Sequence, residues 1–302
     1  MNLRGTLPII LTCLAVAAMP AAASNVFVLP PGGQGGNAIA FSEALVPRGD
    51  VSLPSGIHSL LVTPAGNKAI FLSSNPSAPV TFVSLDGGQV SGTARSIQLD
   101  ATGITSGVLT PDGQKLVAIG GSYPGKLFII DIANEAVFSY GSKPINAYSL
   151  GTPIDFVVTQ DSRYALILSI GGARLAAFSL SNGENVGQIP LVGSPNAISV
   201  SPTGTVYVTG ASTLSEFQAE PPFTRVGFSK LQYSPGKLYF SPDGRYALAP
   251  SETGSITSVI LFDTASPGTN DSGEPVSMGV LNAVPISIDG SVAKPTKFFF
   301  RS

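Results

Sequence analysis

The stretch Leu238-Tyr239-Phe240-Ser241-Pro242-Asp243-Gly244-Arg245-Tyr246-Ala247-Leu248 decides the fold. One apolar run leads into Ser-Pro-Asp-Gly and a second leaves it. Pro presets φ at the start of such a turn and Gly supplies φ > 0 at its end, so the flanking strands fold back on each other. The phrase recurs as Val62-Thr63-Pro64-Ala65-Gly66, Leu109-Thr110-Pro111-Asp112-Gly113, Val158-Thr159-Gln160-Asp161-Ser162 and Val200-Ser201-Pro202-Thr203-Gly204. Counted at positions 64, 111, 160, 202 and 242, the steps are 47, 49, 42 and 40 residues. A period of about 40–50 residues with several strands per unit is the signature of propeller blades.

Each unit reads as four strands, a to d. Strand a is the apolar run before the turn, as in Ile154–Val158 and Ala197–Val200. Strand b follows it: Lys68–Leu72, Lys115–Ile119, Tyr164–Leu168, Val206–Thr209 and Tyr246–Ala249. Strand c is Val80–Leu85, Lys126–Asp131, Arg174–Leu180, Leu214–Phe217 and Val259–Asp263. Strand d is weaker: Ala94–Leu99, Ala136–Tyr140, Val186–Ile189, Arg225–Phe228 and Val276–Leu281. Val, Ile, Phe and Tyr fill the runs, and Gly, Pro, Asn and Asp bound them, as in Ser181-Asn182-Gly183 between strands c and d. Strand a, with both faces between neighbouring blades, is expected to be continuously apolar; Leu60-Leu61-Val62 and Phe156-Val157-Val158 are. The longest irregular insert is Thr264–Pro275, where Asn270-Asp271-Ser272 is a chance match to a glycosylation sequon.

Composition agrees with an all-β chain. The 302 residues carry 34 Gly and 25 Pro, only 11% charged side chains and a net charge of −2, and the mean hydropathy is +0.32. No cluster of Lys and Arg offers a nucleic-acid surface. Arg4, the apolar run Leu7–Ala18 and Ala21-Ala22-Ala23 form a cleavable signal peptide over 1–23. The mature chain 24–302 is then one propeller domain. No later apolar run approaches the ~20 residues of a membrane span. Cys13, the only cysteine, would leave with the signal, which removes disulfide, thiol-nucleophile and zinc–thiolate chemistry.

The two ends of the chain complement each other. Asn25–Pro30, Asn37–Phe41 and Asp50–Leu53 resemble strands b, c and d. At the far end, Pro295-Thr296-Lys297-Phe298-Phe299-Phe300-Arg301 aligns without a gap to Pro235-Gly236-Lys237-Leu238-Tyr239-Phe240-Ser241. The expectation is six four-stranded blades, the last made of strand a from the C-terminus and three N-terminal strands, with no exposed sheet edge. The alternative is a propeller of seven blades, complete or truncated.

The unit "apolar strand, Ser-Pro-Asp-Gly, Arg or Lys, apolar strand, then a strand ending near Asp-Thr/Ile-Ala" resembles the YVTN-type β-propeller repeat. It is carried by Ser241–Leu248 with Leu261-Phe262-Asp263-Thr264-Ala265, and by Thr110–Val117 with Ile129-Ile130-Asp131-Ile132-Ala133. Val206-Tyr207-Val208-Thr209 stands close to the signature that names the repeat. The resemblance implies a lactonase-like or surface-layer-type secreted propeller, typically of seven blades.

In a propeller the start of strand a faces the central channel, whose mouth is the expected ligand site. The repeat alignment puts Ser59, Ser106, Asp155, Ala197, Lys237 and Lys297 there, with His58 and Asn196 one residue earlier. The candidate ligand-binding set is therefore His58, Ser59, Ser106, Asp155, Asn196, Lys237 and Lys297. One Asp and two Lys near a common axis suit a small anionic or zwitterionic ligand, or satisfy one another. His58, the only histidine, suits a proton shuttle. One His with scattered Asp makes no metal site. No nucleophile-elbow motif appears, and Gly32-Gly33-Gln34-Gly35-Gly36 lies between strands rather than before a helix, so it is no phosphate loop. No cofactor is expected. The function expected is a monomeric, secreted or periplasmic module that binds a protein or small-molecule ligand without catalysis. Two alternatives stand beside it, a lactonase-like hydrolase using His58, Asp155 and Lys237, and the propeller portion of a larger cell-surface protein.

Overall fold

The computed structural model describes residues 25–28, 35–42, 46–121, 125–145, 152–170, 172–253, 256–264, 268–269, 275–276 and 279–285. The described residues are strands and turns, without helix. They fall into two compact units, one over residues 1–122 and 126–142, the other over 123–125 and 143–302.

The first unit holds three antiparallel sheets. β1 (Asn25–Val28), β2 (Gly36–Ser42) and β3 (Pro47–Leu53) pair in that order. β4 (Ile57–Val62), β5 (Lys68–Ser73), β6 (Val80–Asp86) and β7 (Gln89–Ile97) form the next. β8 (Ile104–Leu109), β9 (Lys115–Gly120), β10 (Lys126–Asp131) and β11 (Ala136–Pro144) form the third. The second unit repeats the pattern with β12 (Pro153–Val158), β13 (Tyr164–Ser169), β14 (Arg174–Ser179) and β15 (Asn185–Pro190). β16 (Pro195–Val200), β17 (Val206–Gly210), β18 (Thr213–Phe217) and β19 (Arg225–Lys230) follow. In the last sheet β20 (Tyr239–Phe240), β21 (Tyr246–Thr253) and β22 (Ile256–Asp263) are joined by β25 (Gly279–Pro285); between them β23 (Gly268–Thr269) and β24 (Pro275–Val276) form a separate ribbon. Among the described residues, five four-stranded sheets and one of three strands are consistent with six blades. The strand expected to complete the three-stranded sheet, Phe298–Phe300, lies outside the described residues, as does the signal segment 1–23.

The recurrent turn is pinned by a side chain that the sequence reading passed over. Its first residue, Thr63, Thr110, Thr159, Ser201 or Ser241, is buried in every copy. The hydroxyl accepts the N–H at the start of strand b: Lys68, Lys115, Tyr164, Thr205 and Tyr246, at 2.9–3.1 Å. In three copies it also donates to the turn aspartate, Asp112, Asp161 or Asp243, at 2.5 Å. That aspartate in turn accepts the N–H two residues on. The Ser241 hydroxyl first, and then the Arg245 N–H, hold the Asp243 carboxyl below its usual value. The fourth turn residue takes φ of +67°, +68°, +90° and +72° at Gly66, Gly113, Gly204 and Gly244; Ser162 adopts +60° in the third copy.

Burial follows strand position. Strands b and c have paired neighbours on both sides within the sheet and are buried almost throughout, whereas strand a is half-exposed in β4 and β8. The continuous burial expected of strand a holds at Phe156-Val157-Val158 in β12 but not in β4 or β8, and strands b and c show it more fully. Strand d also shifts. β7 begins at Gln89 rather than Ala94, because Gly87 and Gly88, both at positive φ, make a two-residue hairpin that pairs Asp86 with Gln89. β25 begins at Gly279 rather than Val276, which is taken by the ribbon.

Neighbouring sheets within each unit bury a shared apolar layer. Phe27, Val51 and Leu53 meet Leu60, Phe71 and Val83, and Phe27 meets Phe71 edge-on at 5.5 Å. In the second unit Leu166, Leu168 and Ala177 meet Ile198, Val208 and Phe217. The turn between strands c and d also grips the preceding sheet, at the first residue of its strand b. Glu135 (φ +50°) reaches Lys68 at 2.5 Å and Arg95 at 3.5 Å. Phe223 (φ +54°) is fully buried and meets Tyr164 edge-on at 5.4 Å. A bulky residue rarely adopts positive φ, so these contacts hold the backbone there.

Candidate functional site

Every described strand a carries a bulge at the same place. β4 pairs Ile57 with Ser73 but Ser59 with Leu72, leaving His58 as the extra residue. The same offset leaves out Thr105, Ile154 and Asn196, and recurs between the pairs Pro235–Ser251 and Tyr239–Leu248. A bulge bends the strand and re-aims its side chains. The described residues that the repeat alignment singled out thus sit at or beside one backbone irregularity.

In the first unit His58 is exposed, and its Nε2–H donates to the Ile104 carbonyl at 2.7 Å. That bond joins two neighbouring strands a. Ser59 is half-buried and Ser106 exposed; Thr105, at the bulge, donates to the Ile119 carbonyl within its own sheet.

In the second unit Asp155 and Lys237 meet, although 82 residues separate them. The Lys237 ammonium donates to both carboxylate oxygens, at 2.8 and 2.9 Å. Asp155 also accepts the Ile198 N–H at 3.1 Å and its neighbour Phe156 N–H at 2.9 Å. Its side chain is 19% exposed and that of Lys237 38%. Asn196 donates from Nδ2 to Ser234 Oγ and to the Pro235 carbonyl, both at 3.1 Å. Lys297 lies outside the described residues.

Two participants had no sequence signal beyond their place in the repeat. Ser199 accepts the Leu238 N–H at 3.0 Å. Leu238 and Ile198 occupy the same repeat position, so each has its N–H capped by a side chain from the preceding strand a. Tyr239 lies two residues beyond Lys237; burial first, and the nearby Asp155 charge second, push its phenol above the usual value. The second-unit set thus consists of a carboxylate spent on an ammonium and two N–H groups, and an amide spent on a neighbouring strand. Its arrangement joins three consecutive strands a. Among the described residues no three His, Cys, Asp or Glu side chains cluster as metal ligands, and no helix is long and apolar enough to cross a membrane.

No protein-family model and no curated protein matches the chain. Solved structures do. The chain is similar to the periplasmic gluconolactonase PpgL of Pseudomonas aeruginosa, at 19% identity and a TM-score of 0.57, over 90% of this chain and 86% of that one. Sqt1 from Chaetomium thermophilum gives a TM-score of 0.64 at 16% identity, covering 87% and 68% of the two chains. The β-propeller domain of Cps50 (Swd1) from Myceliophteria thermophila gives 0.54 at 14%, covering 85% and 82%. With its four-stranded antiparallel sheets, repeated turn and these likenesses, the chain has the β-propeller fold, and lactonase-like propellers are among the structures it is similar to.

Proposed function

We propose that the protein is a secreted or periplasmic, monomeric propeller that binds a protein or small-molecule ligand and performs no catalysis. The observation that carries this reading is the use of Asp155. A carboxylate that neutralises Lys237 and caps Ile198 is committed to holding strands together, whereas a general base needs its lone pairs on substrate. His58 is oriented by its Nε2–H on the Ile104 carbonyl, a bond that ties strands but leaves the Nδ1 lone pair uncommitted among the described residues.

The second reading is a lactonase-like hydrolase, favoured by the likeness to a gluconolactonase. Hydrolysis of glucono-δ-lactone, followed by pH-stat with wild type, His58→Ala and Asp155→Asn, separates the two. We expect all three to match the uncatalysed rate. Wild-type turnover that either substitution abolishes establishes the hydrolase instead. Sequencing of the exported protein is expected to begin at Ser24; retention of residues 1–23 refutes the cleaved-signal part of the reading.

A further inference from the structure

The strand c–d turn of the β12–β15 sheet contains Asn182-Gly183, the dipeptide in which asparagine most readily cyclises. We infer that Asn182 is a site of spontaneous covalent modification whose rate is set by its neighbour Glu184. In the reaction the Gly183 amide nitrogen loses its proton and attacks Asn182 Cγ. The new N–Cγ bond closes a succinimide, the Cγ–Nδ2 bond breaks and ammonia leaves. Water then opens the ring at either carbonyl to give aspartate or isoaspartate. No oxidant or further reactant is needed.

Three features of the turn bear on the rate. Asn182 is exposed, so water and hydroxide reach it. Gly183, at φ +70°, has no side chain to hinder the attack. Against these, the native turn holds both reacting groups. The Gly183 N–H donates to the Ser179 carbonyl at 2.9 Å, which keeps the nucleophile protonated and pointed away. The Asn182 carboxamide is clamped at both atoms by Glu184: Nδ2 donates to the Glu184 carboxylate at 2.9 Å, and Oδ1 accepts the Glu184 N–H at 3.1 Å. Cyclisation requires the carboxamide to rotate out of this clamp.

The consequence is local and lasting. An aspartate at 182 sets a second carboxylate against Glu184. An isoaspartate adds a backbone carbon to a turn that closes through the Ser179 carbonyl. Both products weaken the hairpin that joins β14 to β15.

The test incubates the whole protein at pH 8.5 and 37 °C and follows a 1 Da mass gain by peptide mapping. Wild type, Glu184→Ala and Glu184→Gln are compared, with wild type in 6 M urea as the unclamped reference and circular dichroism as the check on folding. The gain is expected at Asn182, and faster in urea than in the native protein. Glu184→Ala is expected to accelerate the native rate by about three- to ten-fold, the factor that one net hydrogen bond represents. Glu184→Gln, which keeps an acceptor, is expected to fall between. The inference is overturned if the native gain maps to other asparagines, or if folded Glu184→Ala and wild type react at the same rate. If Glu184→Ala does not fold, Glu184→Gln decides by the same comparison.

Discussion

Replacing Thr110 by valine tests the pin in the recurrent turn. Valine keeps the shape and the turn's backbone hydrogen bonds, Thr110 N–H to the Lys115 carbonyl and Gly113 N–H to the Thr110 carbonyl. What disappears is the hydroxyl, which accepts the Lys115 N–H at 2.9 Å and donates to Asp112 at 2.5 Å. Asp112 is exposed and retains the Gln114 N–H, so water replaces its lost donor at little cost. The Lys115 N–H has no such recourse beside a fully buried residue, and a stranded donor costs about 1–3 kcal/mol. The methyl that replaces the hydroxyl faces the Asp112 carboxylate and the Lys115 N–H and recovers little, which leaves about 1–2 kcal/mol in the middle of that range. For 302 residues the unfolding entropy is about 0.6 kcal/mol per kelvin. The expected fall in Tm is therefore about 2–3 °C, measured by circular dichroism at pH 7, with faster hydrogen exchange at the Lys115 amide. A Tm at or above the wild-type value, with Lys115 exchange unchanged, refutes the pin.

The other predictions concern the grip between sheets and the turn carboxylates. Phe223→Ala empties a fully buried site against Tyr164 and is expected to cost about 3–5 kcal/mol, while Phe223→Leu costs less; equal melting curves for Phe223→Ala and wild type contradict this. Glu135→Ala leaves Lys68 with only the Ile132 carbonyl as a hydrogen-bond acceptor and is expected to lower stability by about 1–2 kcal/mol, an effect that 0.5 M salt does not erase. Because Asp243 has a lowered pKa in the folded protein, its stabilisation is present above the unfolded value of about 3.9 and is lost as pH falls through the folded one. A Tm flat from pH 7 to 5 that drops below about pH 4, less steeply in Asp243→Asn, is the expected profile from scanning calorimetry.

The fold was legible where the repeat forced the same physics on each copy. Strands b and c were read to within a residue or two in most copies, because their buried apolar runs end at turn residues. Strand d of the β4–β7 sheet was misread because Gln89–Ile97 is mostly exposed, so its polar sequence, Gln-Val-Ser-Gly-Thr-Ala-Arg-Ser-Ile, carries no alternation. The pin was visible yet unread: a Thr or Ser opens every copy of the turn. The bulge in strand a has no sequence signature, since His58, Thr105, Ile154 and Asn196 share no chemistry and only register reveals it. For the candidate site, alignment put Asp155 and Lys237 at equivalent positions, but their pairing reaches past the intervening strand a of the β16–β19 sheet, which the alignment does not reveal. That Asp155 also caps Ile198, and Ser199 caps Leu238, was hidden. A backbone N–H leaves no mark in a sequence.

In the proposed binding module Asp155 and Lys237 tie together strands a on either side of β16 rather than act on a substrate. A double-mutant cycle in thermal unfolding tests it most directly, with Asp155→Ala, Lys237→Ala and the double variant. Each single substitution is expected to destabilise the protein. The two are expected to couple by about 1 kcal/mol, a figure kept low because the Lys237 side chain is 38% exposed and solvent screens the pair. Additive effects, with single variants as stable as wild type, contradict it.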